Sequence, residues 1–494
     1  MNEKIIRAVE KNRELIREAE RYIWAHPETG YREEKTSRYL EEKFEALGYK
    51  LTLAGNIPGF ITEIDTGREG PTVMILGELD SLIVPNHKEC DPKTGYVHSC
   101  GHHVQTATLL GIAAALKEEG MLEGLSGKIR LCAVPAEELI EIGYRNGLRK
   151  EGRIRYMGGK GEFLARGLFD GVDVAFMVHA AQNYGVTGGS VGCIAKTVHY
   201  KGVSAHAGGS PWNGVNALYA ASQGLNAVNA LRETFKEADL IRFHPIITHG
   251  GEAVNAIPER VTIETYVRGK TFEGILAANK RINRALAGAA LSIGAQIEIV
   301  DIPGYAPLIN NCDLCALAKD AADDIIPEEG FYISTNIGTG STDMGDLCCV
   351  MPVIHPYSAG MIGKSHGDDY YLEDFDRACI KSAKFQLRLL SMLLENGGER
   401  AKKIKENYEP MFPSFKDYLD YVDKINRDGD CITYNEDGSI SIQLHIIVEN
   451  GINITAVCRS IMSEVKYKVN QYTGIPVQRV DICVDSVVSN SKGV

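Results

Sequence analysis

The sequence predicts an α/β protein: a mainly parallel sheet with helices on both faces, an inserted α+β block, and a small C-terminal βαβ module. Three observations carry this. Apolar runs at 60–64, 72–76, 129–134 and 174–178 alternate with helical patterns, as expected for strands joined by crossover helices. The pattern changes near Cys193 and resumes after Pro307. A last segment, beyond the basic and polar stretch 397–407, has strand and helix periodicities of its own. With 494 residues the chain is too long for one core. The expected organisation is a body in two pieces, 1–192 and 304–396, an insertion at 193–303 and a module at 397–494.

Taken in order, Ile5, Ile6, Val9, Ile16 and Ile23 recur at helical spacing over 4–24. The turn His26-Pro27-Glu28-Thr29-Gly30 follows, then a second helix over 36–47. The longest apolar helical run is 105–119, after a glycine-containing loop. In the inserted block, strands are expected at 197–202, 261–268 and 296–301, and helices at 215–231 and 272–293. In the tail, Ile440, Ile442, Leu444, Ile446 and Val448 alternate with mostly polar neighbours. Ile454, Val457, Ile461, Val465 and Val469 repeat at helical spacing, and Val480, Ile482 and Val484 alternate again.

Composition narrows the function. The chain has 44% hydrophobic and 24% charged residues, an ordinary balance for a protein with a core. Its 53 basic residues face 65 acidic ones, a net charge of -12, which argues against nucleic acid as partner. The charged start of the chain lacks the apolar stretch of a signal peptide, and no run is long enough to span a bilayer, so a cytoplasmic protein is expected. The twelve cysteines show no disulfide framework, and Cys312-x-x-Cys315, within an expected helix and without a second pair, reads as core packing.

Chemistry-bearing residues gather at the ends of the expected strands, where α/β folds bind ligands. Gly77-Glu78-Leu79-Asp80 ends one apolar run, and His98-Ser99-Cys100-Gly101-His102-His103 opens the long helix. Cys100 and His102 offer a thiolate and an imidazole to one cation, although Cys-x-His alone is more often a buried cysteine beside a surface histidine. Glu137-Glu138 follows a buried-type strand and Pro135, which lets one carboxylate bind metal while the other reaches water. Alone, it reads equally as an acidic turn. His179 closes the run 174–178, and His366 sits in the polar loop Gly363-Lys364-Ser365-His366-Gly367. In the inserted block, His206 is a candidate oxyanion donor. Asn255 and Arg268, on either side of an Ile-Pro-Glu-Arg-Val turn and strand, are candidates for clamping a substrate carboxylate. Among the remaining histidines, His355 has the best placement.

Six motifs in order give the chain its resemblance. They are His26-Pro27-Glu28, Gly77-Glu78-Leu79-Asp80, Cys100-Gly101-His102, Pro135-Ala136-Glu137-Glu138, His206-Ala207-Gly208 and Gly340-Ser341-Thr342-Asp343. Over about residues 15–395 the sequence resembles the aminoacylase and carboxypeptidase-type dinuclear metallopeptidases, in the amidohydrolase branch with hippurate, indole-acetyl-amino-acid and aminobenzoyl-glutamate hydrolases and β-alanyl-lysine dipeptidase-like proteins. Residues 340–357 look closest to the aminobenzoyl-glutamate and β-alanyl dipeptide subgroup. The resemblance implies a zinc-peptidase-like fold and two divalent ions, zinc or manganese with cobalt or nickel as alternatives, bound by Cys100, His102, Glu138, His179 and His366. It implies Glu137 as general base and hydrolysis of an N-acyl amino acid or dipeptide-like amide. It also implies that the insertion is a dimerisation domain making a homodimer, with His206 facing substrate in its own or the partner's active site. Many relatives carry an acidic residue or Asn at the position of His103, and some a His at Gln105; these departures bear on substrate preference. Residues 438–488 are similar to the second half of the alkaline-shock-protein family domain, which implies a scaffold or assembly role.

Two other function classes fit parts of the pattern. A non-catalytic scaffold on a degenerate hydrolase body would have no need for Glu137 and five ligand candidates. A thiol enzyme with Cys100 as nucleophile and His102 as base would need a geometry that residues two apart on a loop rarely reach.

Overall fold

The computed structural model describes residues 1–425, 431–434, 440–473 and 476–488. The chain divides into two compact units, one of Met1–Gly192 with Gly304–Leu419, the other of Cys193–Pro303 with Asp420–Val494.

The first unit is built on a six-stranded sheet in the order Leu51–Leu53, Phe60–Asp65, Lys128–Val134, Thr72–Glu78, Val174–Phe176, Val353–Ile354. The last four strands are mutually parallel and the first two add antiparallel. Every residue of Thr72–Glu78 is buried, as an unbroken apolar run demands when helices cover both faces of a sheet. The helix His102–Leu116 is buried along its whole length, which explains why its sequence shows no polar face. The N-terminal pattern forms two helices, Asn2–Lys11 and Arg13–Trp24, rather than one. Their residues Ile5, Val9, Ile16 and Ile23 join Leu109, Ile112, Val73, Leu131 and Phe385 in one core.

This unit continues beyond the expected limit at 396. The helix Glu399–Glu406 carries Lys405, which pairs with Asp173, the Phe412 N–H donates to the Cys349 carbonyl at 3.0 Å, and the Tyr418 hydroxyl donates to Asp346 Oδ1 at 2.7 Å. Aromatic residues spaced irregularly along a polar segment make these contacts, and they have no periodicity to reveal them.

The same core holds a titrating carboxyl. Glu20 on Arg13–Trp24 is 9% exposed, and burial pushes it up to about 7 against the pull of Arg21 and Arg17. It stands 3.6 Å from His103 Nε2, but burial and His102 lower His103 to about 3, so the two do not form an ion pair near neutrality. A carboxyl raised in the folded state favours folding while protonated, so its contribution is full below its ordinary value of 4.5 and fades as pH rises through 7. A shift of this size is worth about 3 kcal/mol. Glu20→Gln is expected to flatten the fall of Tm between pH 5 and 8 by several degrees in a thermal melt series; a slope equal to that of the parent protein would refute the assignment.

The second unit contains one mixed sheet. Its order is Arg242–Phe243, Arg260–Gly269, Gly192–Lys201, Gln296–Tyr305, Cys431–Tyr434, Ile440–Glu449, Val477–Val488, with Ile246–His249 also paired to Arg260–Gly269. The helices Ala217–Leu231 and Phe272–Ile293 start at side-chain caps: Asn216 accepts from the Leu218 N–H and Thr271 from the Gly274 N–H. Val198, Val228, Ile263, Val267, Ile282 and Leu286 fill the core beneath them. The tail forms a parallel pair, Ile440–Glu449 with Val477–Val488, crossed by the helix Ile454–Thr473, as its periodicities predict. The short strand Cys431–Tyr434 then joins this pair to Gln296–Tyr305, with Ile432 opposite Ile297. The module therefore extends the sheet of the inserted block. Gly438 and Gly474, which belong to the C-terminal resemblance, lie outside the described residues. No described helix is long and apolar enough to cross a membrane.

Candidate active site

Strand ends of the first unit bring the predicted residues together. Gly101 takes φ +93° at the start of His102–Leu116, where an added Cβ would lie 2.8 Å from the Ala180 Cβ. This bend presents Cys100 and His102 from one loop. The His102 ring is fixed by Asp80, whose backbone carbonyl and Oδ1 lie 2.9 and 3.2 Å from Nδ1. Nδ1 thus carries a proton, and Nε2, which burial works against protonating but the Cys100 and Glu78 charges hold protonated, is the nitrogen a cation would take by displacing that proton. The His179 ring is oriented in the same way, with Nδ1 2.8 Å from the Ala180 carbonyl and Nε2 3.2 Å from Cys100 Sγ.

The glutamate pair follows Lys128–Val134. Ala136 adopts φ +59°, a strained left-handed turn that aims both following carboxylates back toward the sheet end. Three groups pin that turn. The Ala136 N–H donates to buried Glu33 at 2.7 Å, the Arg145 guanidinium donates to the carbonyls of Ala136, Met157 and Glu138, and the Tyr305 hydroxyl donates to the Glu137 carbonyl. Gly159 packs so closely beneath that a Cβ there would lie 1.7 Å from the Pro135 carbonyl oxygen. Asp80 closes the arrangement, since its Oδ2 accepts from the Glu138 N–H at 2.7 Å. His366, at φ +65°, is tied to the cysteine loop by its N–H on the Ser99 carbonyl at 2.9 Å.

The donor atoms fall into groups. Cys100, His102 and His179 form one, and Cys100, Glu138 and His366 a second; within each, all donor atoms lie within 4.8 Å of one another. Cys100 belongs to both. Glu78, His102 and Glu137 form a third. Two of these atoms, His102 Nε2 and Glu138 Oε1, are buried and make no hydrogen bond among the described residues, although Glu78 Oε2 and His366 Nε2 each stand 3.2 Å from them. Buried polar atoms normally find partners, so these two are suited to a cation. Thiolate, imidazole and carboxylate donors fit a divalent ion of the zinc type.

The electrostatics agree with this. Burial and the Glu138 carboxylate push the Cys100 thiol up, and the His179 and His102 imidazoles more than offset them and bring it down to about 6. Burial raises Glu138 too, but His366 brings it down to about 2, while Glu138 pulls His366 up to about 11. Burial, then the Glu78 and Glu138 carboxylates, hold Glu137 well above the usual range, as suits a group that must take and hold a proton.

The sequence matches a family model described as peptidase family M20/M25/M40 over residues 74–392. The chain belongs to peptidase family M20/M25/M40. As a member of that family it is a hydrolase of amide bonds. Residues 417–489 match a second model, that of the alkaline-shock-protein family, described by its cell envelope-related function; the match starts earlier than the resemblance visible from 438. The chain is 29% identical over 370 residues to a Xaa-Arg dipeptidase of Mus musculus, covering 71% of this chain and 78% of that protein. It is 28% identical over 303 residues to a p-aminobenzoyl-glutamate hydrolase polypeptide of Escherichia coli, covering 59% of this chain and 58% of that one. Two solved structures share the fold. One is a putative aminohydrolase from methicillin-resistant Staphylococcus aureus, with TM-score 0.62 and 22% identity, covering 80% of this chain and all of that one. The other is a dinuclear metal-binding M20 peptidase of Bacillus subtilis, with TM-score 0.56 and 20% identity, covering 77% and 97%.

In this M20-family chain the two departures noted in the sequence turn inward. His103 packs on Trp24 with ring centroids 4.7 Å apart, and Gln105 hydrogen-bonds Glu78. His355 is buried beside His179, 5.6 Å between ring centroids, with burial lowering it to about 3, and it joins none of the three groups. Of the pair expected to pack in the core, Cys315 does so, whereas Cys312, in the first turn of its helix, is exposed. Asp80, Glu33 and Arg145 orient the site, yet only Asp80 had a signal, its place at a strand end. A lone Glu in a turn and an Arg on a short helix carry none.

His206, Asn255 and Arg268 belong to the second unit. The Ala207 N–H donates to the Asn255 carbonyl at 2.9 Å, so His206 and Asn255 are neighbours. His206 Nδ1 accepts from the Gly208 and Gly209 N–H groups at 3.1 and 2.9 Å, which places the proton of the neutral ring on Nε2. Arg268 lies at the far end of Arg260–Gly269, about 27 Å along the strand from Arg260.

Proposed function

We propose that this chain is a metal-dependent amidohydrolase that cleaves the amide of an N-acyl amino acid or a dipeptide-like substrate, with Glu137 as general base. The observation that carries the reading is the single Cys100 thiolate common to two donor groups, which supports a dinuclear centre held by Cys100, His102, His179, Glu138 and His366. When bound, two divalent ions, zinc or manganese, with cobalt or nickel as alternatives, supply Lewis acidity that lowers the pKa of water and polarises the scissile carbonyl. Glu137 takes the proton of the attacking water and returns it to the departing amine. His206 Nε2–H donates to the developing oxyanion, a contact worth about 3 to 4 kcal/mol in such sites.

The insertion at 193–303 is read as the dimerisation element, and the C-terminal module as a scaffold or assembly element. Asn255, beside His206, is read as acting from one protomer of a homodimer and Arg268, near the end of Arg260–Gly269, from its partner, the two together clamping a substrate carboxylate. The protein is read as a soluble cytoplasmic enzyme acting on small molecules. Relatives named for Xaa-Arg dipeptides and aminobenzoyl-glutamate set the substrate panel. N-acyl amino acids, aminobenzoyl-glutamate and basic or β-alanyl dipeptides, assayed with manganese and with zinc, are expected to include at least one compound whose hydrolysis is lost on chelation and restored by metal. Hydrolysis indifferent to chelator, or a metal-loaded protein inert across the panel, would favour the thiol or the scaffold reading instead.

A further inference from the structure

Glu78 ends the strand Thr72–Glu78 and is 1% exposed, yet general base catalysis and the two cysteine-sharing groups leave it without a part. Both of its oxygens are oriented. Lys160, itself fully buried, donates from Nζ to Oε1 at 2.6 Å and pairs on its other side with Asp343. Gln105 donates from Nε2 to Oε2 at 3.0 Å and accepts the Glu78 N–H on Oε1 at 3.2 Å. Held this way, Glu78 Oε2 stands 3.2 Å from His102 Nε2. That nitrogen makes no hydrogen bond among the described residues, and without an ion the two form a close imidazole–carboxylate pair. Their separation equally suits two donors on one cation, since ligands each about 2.1 Å from an ion and roughly 100° apart lie about 3.2 Å from each other. Glu137 Oε2 is 4.0 Å from the same nitrogen.

A buried Lys–Glu pair is costly for stability alone, because desolvation consumes most of its Coulombic gain. Here one ammonium lies between two carboxylates, Glu78 and Asp343, and leaves a net negative charge beside His102. An orienting partner on the far oxygen is how proteins fix a ligating carboxylate.

We infer that Glu78 is a further protein ligand of the ion held by His102, presented to it by Lys160 and Gln105; this rests on the dinuclear reading above. Glu78 groups with His102 and Glu137, and an oxygen donor beside imidazole shifts the preference of that position toward oxygen-seeking ions such as manganese.

The test loads the full chain with cobalt(II) and follows both the visible d–d spectrum and the release of ions to a competing chelator. Glu78→Gln, whose fold is checked by circular dichroism, is expected to hold one of two ions about 10- to 100-fold more weakly, with a changed spectrum, and to hold the other as before. Asp343→Asn breaks the same buried network but removes no oxygen from His102, and is expected to retain both ions within about threefold. If the parent protein takes up two ions and Glu78→Gln binds both as tightly with an unchanged spectrum, this inference falls and the dinuclear reading stands. Equal loosening by both variants makes the network structural and also overturns it. If the parent takes up no cobalt, the dinuclear reading fails and this inference with it.

Discussion

Glu137→Gln is expected to lower kcat by about 10³-fold while leaving the bound ions in place. Glu137 is 7% exposed, and its backbone is pinned by the Tyr305 hydroxyl and, one residue earlier, by Glu33 and Arg145. An amide fits that pocket without moving the turn. What the variant loses is the ability to take a proton, which burial and the neighbouring Glu78 and Glu138 carboxylates strengthen in the parent side chain. KM should change little, because the loss falls on the chemical step rather than on ground-state binding. Turnover measured beside metal content separates the roles. Loss of both together would make Glu137 a ligand, and retained turnover would remove it from the reaction.

Cys100→Ser is the second large effect. One thiolate belongs to both cysteine-sharing donor groups, so its replacement weakens two ion positions at once, whereas replacement of His366 or His179 strips only one. A hydroxyl at this place does not ionise near neutrality, while the thiol, brought down to about 6, is already a thiolate at pH 7. Metal content is expected to fall to one ion or fewer per chain, with turnover below detection. For the parent protein, protons compete with the ions for the His366 imidazole below about 11 and for the sulfur below about 6, so ion affinity is expected to fall as pH drops through neutrality and more steeply below about 6. Two ions retained by Cys100→Ser would rule out the bridge.

Much of this site was legible in the sequence because the chemistry sits where periodicity ends. Cys100, His102, Glu137, Glu138 and His179 each follow or open an apolar run, and such runs reveal strand ends and helix starts without a structure. His366 was legible as a ligand only through the family resemblance, since its loop has no periodicity. Residues that orient the ligands were harder to see. Asp80 acts through a backbone carbonyl as well as its side chain, and Glu33 and Arg145 reach the Glu137 turn from other segments of the chain. The inserted block shows the same division. Its long elements were readable, but Ile246–His249, four residues beside a proline, was not, and Cys431–Tyr434 gave no warning that the tail would extend the sheet of the insertion. His103 and Gln105, the two departures from the family pattern, are both buried, one against Trp24 and the other on Glu78, which no pattern in the sequence shows.

The proposed centre would take two divalent ions, with Cys100 a donor in both groups. Elemental analysis of the parent protein, purified without added ions and measured beside Cys100→Ser and Glu137→Gln, counts them. Two divalent ions per chain in the parent and in Glu137→Gln, with one or none in Cys100→Ser, is the predicted result. A parent protein that hydrolyses an amide while holding no stoichiometric ion would contradict it.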